Sequence, residues 1–596
     1  MGFQTPQYKL TELITRARSG EIQLPDFQRG YVWDDERVRQ LIVTVANGHP
    51  MGVLLLLATG SQSVHFESKP IETTSPAPAT EPELLVLDGQ QRLTSLSQAL
   101  GGDGVVQTKD DGKRRYFLDV AAALSAEGPG DVDDAIVSLP GDGIVRTNFN
   151  RDVQLDVSTR AQQLRKGYLP ITEIFSTSGA SQWMLDWAAL DGGSRYDQIS
   201  TFLAKFNEPM RSYALPAIQL DKETSVEAVT TVFEKVNQGG VKLTVFELLT
   251  AKFAGDRQHF EENGHAFRLR EAWKDVRKSL EEYSVLEGFE SDDFLQAVSL
   301  VSSLHAKTAT TARKDDILRM RLADFRAWAP LVTEALIWAA KFIDGEHIRS
   351  ARDLPYPKQI VPLAAIRVVL GAETDAYGIH ARIRQWFWSG ILGELYGSAI
   401  ETRFARDIEQ VPGWARQAEG ASTPKTVEDA YFNESRLHSL RTRNSAAYKG
   451  IYALMMTNDA RDWIYNQPFD KADYLKLRID IHHIFPKSWC GKNDIPWEMQ
   501  ESIVNKTPLS KTTNIKLSGN APSVYRKAIA RDSHAADELV DHVISGHLID
   551  PDLLWGDDFY AFFRARREAL CALVESALGK PVTRDVDEEE MAGAAS

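Results

Sequence analysis

Residues 84–100 read LLVLDGQQRLTSLSQAL: four apolar residues, then Asp88-Gly89-Gln90-Gln91-Arg92, then Leu93, Leu96 and Leu100 at helical spacing. The pattern is a buried strand that feeds a helix through a polar turn, which makes the surrounding segment an α/β or α+β unit with short strands. A chain reversal needs only a Gly and a short Asp or Asn, so two glutamines and an arginine exceed the requirement. Such a turn exposes backbone N–H groups at a helix N-terminus, where the dipole favours an anion, and Arg92 adds a bidentate charge-assisted donor. Gly89 permits close backbone approach. Asp88 is suited to hold Mg²⁺ or polarise water, and Gln90 or Gln91 to orient water or phosphate oxygens. The plainer reading is an Arg92–Asp88 pair that braces a turn.

Upstream, residues 24–33 (LPDFQRGYVW) form a second polar-aromatic cluster, with Gln28 and Arg29 just ahead of a helix that starts near Asp34. In Glu36 to Asn47, Val38, Leu41, Ile42 and Val45 share one helical stripe, and Val53 to Leu57 reads as a buried strand. Ser75 to Pro82 is a Pro-rich connector. Downstream, a helical stripe of Val226, Val229 and Phe233 ends at Asn237-Gln238-Gly239-Gly240, and Thr244 with Glu247 makes a capping box for the next helix. These patterns divide the chain into an α/β domain over 1–255, a helical connecting region over 256–424, a C-terminal domain over 425–578 and an acidic tail, 579–596, expected to be disordered.

The chain has 596 residues, 43% hydrophobic and 25% charged, with a formal charge of −15. That composition suits several soluble globular domains. The apolar run MGVLLLLA falls far short of the roughly 18–20 residues that span a bilayer. The N-terminus lacks a charged region followed by an apolar one, so no secretory signal and a cytoplasmic home are expected. Two cysteines, Cys490 and Cys571, exclude a disulfide framework and a Cys-rich zinc module. An even negative charge would repel DNA, so binding must come from local basic patches. Residues 502–531 carry six Lys or Arg and no acid before residue 532, and residues 435–449 carry four and none.

The basic run 502–531 follows Asp480-Ile481-His482-His483-Ile484-Phe485-Pro486, with Asn505 and Asn514 nine residues apart inside it. Adjacent histidines offer a metal ligand and a proton acceptor in one place, although neighbours in a strand point to opposite faces. These residues resemble an HNH nuclease of the ββα-metal type. The resemblance implies His482 as first metal ligand, His483 as general base, Asn505 as the residue that orients the base through its carbonyl oxygen or local backbone, and Asn514 as second ligand, with Asp480 binding or supporting the metal. Oxygen and imidazole donors without thiolate favour Mg²⁺ or Mn²⁺. Lys506, Lys511 and Lys516 are the expected DNA contacts. The family's flanking CxxC pairs are absent.

The order LPDFQRGYVW, LVLDGQQRLTSL, VFEKVNQGGVKLTVFELL resembles the ParB/sulfiredoxin-like NTPase domain of GmrSD-type modification-dependent restriction enzymes and of the phosphorothioate-sensing effector SspE, which joins a DGQQR motif to an HNH domain. The implied fold is multidomain α+β: a ParB/sulfiredoxin-like α/β domain, a mainly helical middle and a C-terminal helical domain with the ββα-metal motif. The implied function is an anti-phage effector that senses modified DNA, hydrolyses an NTP with Mg²⁺, GTP favoured, around Gln28, Arg29, Asp88, Gly89, Gln90, Gln91 and Arg92, and nicks or cleaves DNA, with a homodimer as one candidate assembly. No Gly-Lys pair is followed by Ser or Thr, so a P-loop is not expected. An apolar lip of Tyr31, Val32 and Trp33 favours phosphorothioate as the mark; glucosylated or otherwise modified cytosine is the alternative, and a non-catalytic ParB-like DNA-binding regulator a second one.

Overall fold

The computed structural model describes residues 2–586 apart from 26–27, 29, 61–65, 67, 73–80, 110–111, 128, 149–150, 225–227, 230–231, 233–243, 399, 470–478 and 518. The chain divides into two compact units, Met1–Glu271 and Ala272–Ser596.

The first unit is built on a mixed sheet of β1 (Phe3–Gln4), β2 (Gln7–Lys9), β3 (Ile22–Pro25), β4 (Leu54–Ala58), β5 (Ser68–Lys69), β6 (Leu84–Asp88) and β13 (Ala214–Leu220), in the order β1-β13-β4-β6-β3-β5 with β2 also on β13. β4 lies parallel to β13 and antiparallel to β6, and β6 parallel to β3. Leu54 to Leu57 are all buried, as a strand covered on both faces requires; each such leucine contributes about 1.5–3 kcal/mol of apolar burial. A register shift between Leu55 and Leu56 sets Leu55 opposite Asp88 and Leu56 opposite Val86. The resulting bulge at the end of β6 re-aims the chain where the polar cluster begins.

The helix Asp35–Ala46 buries Val38, Leu41, Ile42 and Val45 as their spacing predicts, and Asp34 caps it by accepting from Arg37 N–H. The helix Gln90–Ala99 starts sooner than expected. Only Asp88 and Gly89 form the turn; Gln90, Gln91 and Arg92 are its first helical turn, because Gly89 enters the left-handed region at φ 94° and reverses the chain alone. The capping box of Thr244 and Glu247 is present on the helix Val245–Ala254. The glycine-rich loop before it and most of the Pro-rich connector lie outside the described residues.

Beside the main sheet stand β7 (Val105–Gln107), β8 (Lys113–Asp119), β9 (Ile136–Pro140) and β12 (Tyr168–Pro170), and the hairpin β10 (Ile144–Thr147)–β11 (Asp152–Asp156).

In the second unit the helix Ile360–Leu370 is apolar on nearly every side and packs against Ser291–His305, Leu322–Gly345 and Ile400–Ala415. The helix Tyr377–Leu392 packs against Ala446–Thr457 and Phe559–Leu578, so middle and C-terminal helices share one packed body. Its two-stranded ribbon is β14 (Ile479–His483) with β15 (Lys506–Ser510). The start of the expected disordered tail is attached. Lys580 donates to Val427 O, Thr583 bridges Asn433, and Asp585 accepts from Ser435 at 2.6 Å. Residues 587–596 lie outside the described residues.

Candidate functional site

In the second unit, β14 sets His482 opposite Thr507 and His483 opposite Lys506, and the helix Lys511–Leu517 follows β15 directly. Successive side chains alternate across a ribbon, so the two imidazoles take opposite faces. His482 is buried, with Nδ1 2.7 Å from Asn514 Oδ1 and the rings of Trp463 and Tyr525 packed edge-on against it. On the other face, His483 Nε2 lies 3.4 Å from Glu501 Oε2. Glu501 also accepts from Lys506 Nζ at 3.0 Å and pairs with Lys487.

Burial pushes the His483 imidazole below its ordinary pKa, Lys506 adds to the effect and Glu501 opposes it. The ring is therefore neutral near pH 7. With Nε2 facing a carboxylate, the proton belongs on Nε2 and Nδ1 is the basic nitrogen. For Glu501, burial alone would raise the pKa, but the hydrogen bonds from Lys487 and Lys506 outweigh it and bring the carboxyl down to about 2.

Asn505 is fully buried. Its Oδ1 accepts from Phe485 N–H at 2.8 Å, and its Nδ2 donates to Phe485 O at 3.0 Å and Gln500 O at 3.1 Å. None of these bonds goes to the imidazole, so Asn505 holds the backbone just past His483. Orientation of the ring falls instead to Glu501, which sequence reasoning missed. Its signal was the last acid before the basic run, five residues ahead of Lys506.

The basic stretch is largely neutralised in space. Lys506, expected at the DNA surface, is buried, with its ammonium on Glu501 and Arg441 O. Lys516 pairs with Asp532 at 3.4 Å and lies over the Tyr465 ring. Arg526 pairs with Asp541 and Asp537, and Arg531 with Asp532. The acids just past residue 531 fold back onto the run. Lys511 remains exposed.

For a cation, the His482 Nδ1 and Asn514 Oδ1 separation is close to the roughly 3 Å between adjacent ligands of a six-coordinate ion with bonds of about 2.1 Å. The pair thus fits two positions of such a site and leaves others for water and phosphate. Among the described residues, no three His, Cys, Asp or Glu side chains form a metal cage; the side chain of Asp480 lies outside them.

In the first unit the two polar clusters interlock. Among the described residues β3 pairs with β6 at Leu84 and Leu85; beyond, Gln28 Nε2 donates to Val86 O at 2.6 Å and Leu87 O at 2.9 Å. Both partners are acceptors, which fixes the amide orientation and leaves Gln28 Oε1 buried without a hydrogen-bond partner among the described residues. In return, Gln91 Oε1 accepts from Val32 N–H at 2.9 Å and its Nε2 donates to Gly30 O at 3.1 Å. Arg92 donates to Met51 O at 2.8 Å, Val53 O at 3.1 Å and Asp88 Oδ2 at 3.0 Å. A Cβ on Gly52 would stand 2.5 Å from Arg92 Nη1, and one on Gly89 2.4 Å from Leu54 Cδ2. Both Arg92 terminal nitrogens are thus engaged inside the protein, which is the bracing arrangement. Gln90 is buried, and Arg29 lies outside the described residues.

Residues 10–254 match the GmrSD restriction endonuclease N-terminal domain. Within the matched residues the apolar lip expected of Tyr31 to Trp33 is not free. Tyr31 and Trp33 pack against the core, and Tyr31 OH bonds Ser95 Oγ at 2.7 Å. The Val32 N–H is held by Gln91. Ser95, Met51 and Val53, which hold Tyr31 and Arg92, had no sequence signal, because two of them act through backbone carbonyls. Similarity to a known protein continues past the matched residues. An uncharacterized protein of Methanocaldococcus jannaschii is 25% identical over 574 residues, 91% of this chain and 92% of that protein. Among the described residues no helix is long and apolar enough to cross a membrane.

Proposed function

We propose that the chain is a restriction-type effector that senses modified DNA through its GmrSD-type domain and cuts DNA at an HNH-like site in the second unit. The observation that carries the nuclease reading is the His482 Nδ1–Asn514 Oδ1 approach of 2.7 Å, with His483 next in the chain and Glu501 on its ring. His482 and Asn514 would hold Mg²⁺ or Mn²⁺, which when bound supplies charge stabilisation at the scissile phosphate. His483 Nδ1 accepts a proton from the attacking water. Glu501 keeps Nε2 protonated and the ring in place, and Asn505 fixes the strand end that carries the base.

The nucleotide reading of the first unit rests on the interlocked clusters. The orphan Gln28 Oε1 is an acceptor, so it suits a water, ribose hydroxyl or base N–H rather than a phosphate oxygen. The helix N-terminus behind Gly89 is left to meet the NTP phosphates with their Mg²⁺. Internal use of Gln91 and Arg92 favours a second reading, a ParB-like DNA-binding domain without hydrolysis.

Supercoiled plasmid incubated with Mn²⁺ and each NTP tests the proposal: wild type relaxes it and His483→Ala does not. Intact plasmid with wild type under every condition, or equal cutting by both, removes the nuclease reading. NTP turnover with matched unmodified, phosphorothioated and glucosylated DNA separates the marks, and absence of turnover with all three leaves the non-hydrolysing reading for the first unit.

A further inference from the structure

In the second unit, the segment 347–353 and the helix Ala446–Thr457 border a cavity of about 260 Å³, just below the size of drug-sized ligand sites, which run from roughly 300 to 1,000 Å³. Arg352, Arg443 and Lys449 line it against one carboxylate, Asp353. Two of these cations belong to the basic run 435–449, which the nuclease reading leaves without a role. Among the described residues neither Arg352 nor Arg443 has a hydrogen-bond or ion-pair partner; Arg443 lies over the Tyr452 ring, 5.6 Å from its centre. Lys449 donates to Leu354 O at 3.1 Å.

Tyr448, also in the cavity wall, is fully buried, and its hydroxyl has no hydrogen-bond partner. With no accessible surface, that hydroxyl does not open onto the cavity, and the polar lining is left to Arg352, Arg443 and Lys449. Tyr452 stacks on Tyr448 with planes 16° apart, and Ile348 and Met456 complete an apolar wall. Burial holds His347 below its ordinary pKa and hence neutral. Three cations against one carboxylate leave an excess positive charge of the size a phosphomonoester carries near pH 7.

We propose that this cavity binds a nucleoside monophosphate, or the same phosphomonoester at the 5′ end of a DNA strand. The phosphate pairs with Arg352, Arg443 and Lys449, and the nucleoside lies along Tyr452, Ile348 and Met456. The proposal stands apart from the nuclease reading.

Isothermal titration of the full chain with AMP, dCMP, adenosine and inorganic phosphate tests it. The monophosphates are expected to bind at least about tenfold more tightly than adenosine or phosphate, because only they supply both charge and a ring. The Arg352→Ala/Arg443→Ala double variant loses at least about tenfold in affinity. A 5′-phosphorylated oligonucleotide that competes where its 5′-hydroxyl counterpart does not assigns the strand end as the source; a monophosphate that neither displaces assigns a free nucleotide. No binding to wild type, equal binding of adenosine and AMP, or binding unchanged in the double variant overturns the proposal.

Discussion

His483 and Lys506 stand directly opposite each other in the β14–β15 ladder, and Glu501 lies against both, 3.4 Å from the imidazole and 3.0 Å from the ammonium. A single carboxylate thus orients the proposed base and balances a buried cation.

Glu501→Gln removes that charge while keeping the shape. Plasmid cleavage is expected to fall about 10- to 100-fold, in the range of lost orienting partners, while cation binding at His482 and Asn514 is retained. The native carboxyl titrates near 2, below its unfolded value of about 4.3. Its contribution to stability is therefore present above the unfolded value and lost as pH falls toward 2. Urea midpoints measured from pH 6 down to pH 2.5 should show less acid loss for the glutamine variant than for wild type.

Asn505→Ala leaves the Phe485 N–H and C=O and the Gln500 C=O without their partner in a buried site. A destabilisation of about 2–4 kcal/mol is expected from these orphaned groups, together with loss of cleavage. Denaturant unfolding of the full chain checks the first and plasmid nicking the second. A fully stable variant would show that the loop after His483 is held by other means.

Gly89→Ala meets two obstacles, the φ of 94° and the Leu54 methyl at 2.4 Å from the new Cβ. The strain costs on the order of 1–3 kcal/mol. It is expected in the first unit, read as faster hydrogen exchange in β4 and β6 with protection of Ile360–Leu370 unchanged.

Asp407 is buried beneath Tyr396 and Thr426, and burial raises its carboxyl to about 6 despite their hydrogen bonds. The folded pKa lies above the unfolded one, so this group favours folding below about pH 4 and loses that contribution as pH rises through 6, by an amount on the order of 3 kcal/mol. Asp407→Asn removes the titration. Its unfolding midpoint should vary less than that of wild type between pH 4 and 7, and an equal slope in both proteins would place the pH dependence elsewhere.

Much of the first unit was legible from spacing. The stripe of Val38, Leu41, Ile42 and Val45, the strand at Leu54 to Leu57 and the Thr244–Glu247 cap all follow from local periodicity and capping chemistry, which depend on residues within one or two turns. The extent of the DGQQR turn was misread, because polar residues suit a first helical turn as well as a loop. The 502–531 patch was misread for a different reason. A count along the chain sees six bases, whereas Asp532, Asp537 and Asp541 return to them only in three dimensions.

What the sequence by itself determined is the inventory: paired histidines ahead of two asparagines, and two polar clusters before two helices. Residue type and spacing are local properties that a chain displays without folding. Only the tertiary structure decided the partners. It set His482 against Asn514 and His483 against Glu501 on opposite faces of one ribbon, and it closed Gln28 onto the backbone of Val86 and Leu87 and Gln91 onto that of Gly30 and Val32. Such pairings depend on strand register and on carbonyls that every residue carries, so nothing in residue identity announces them.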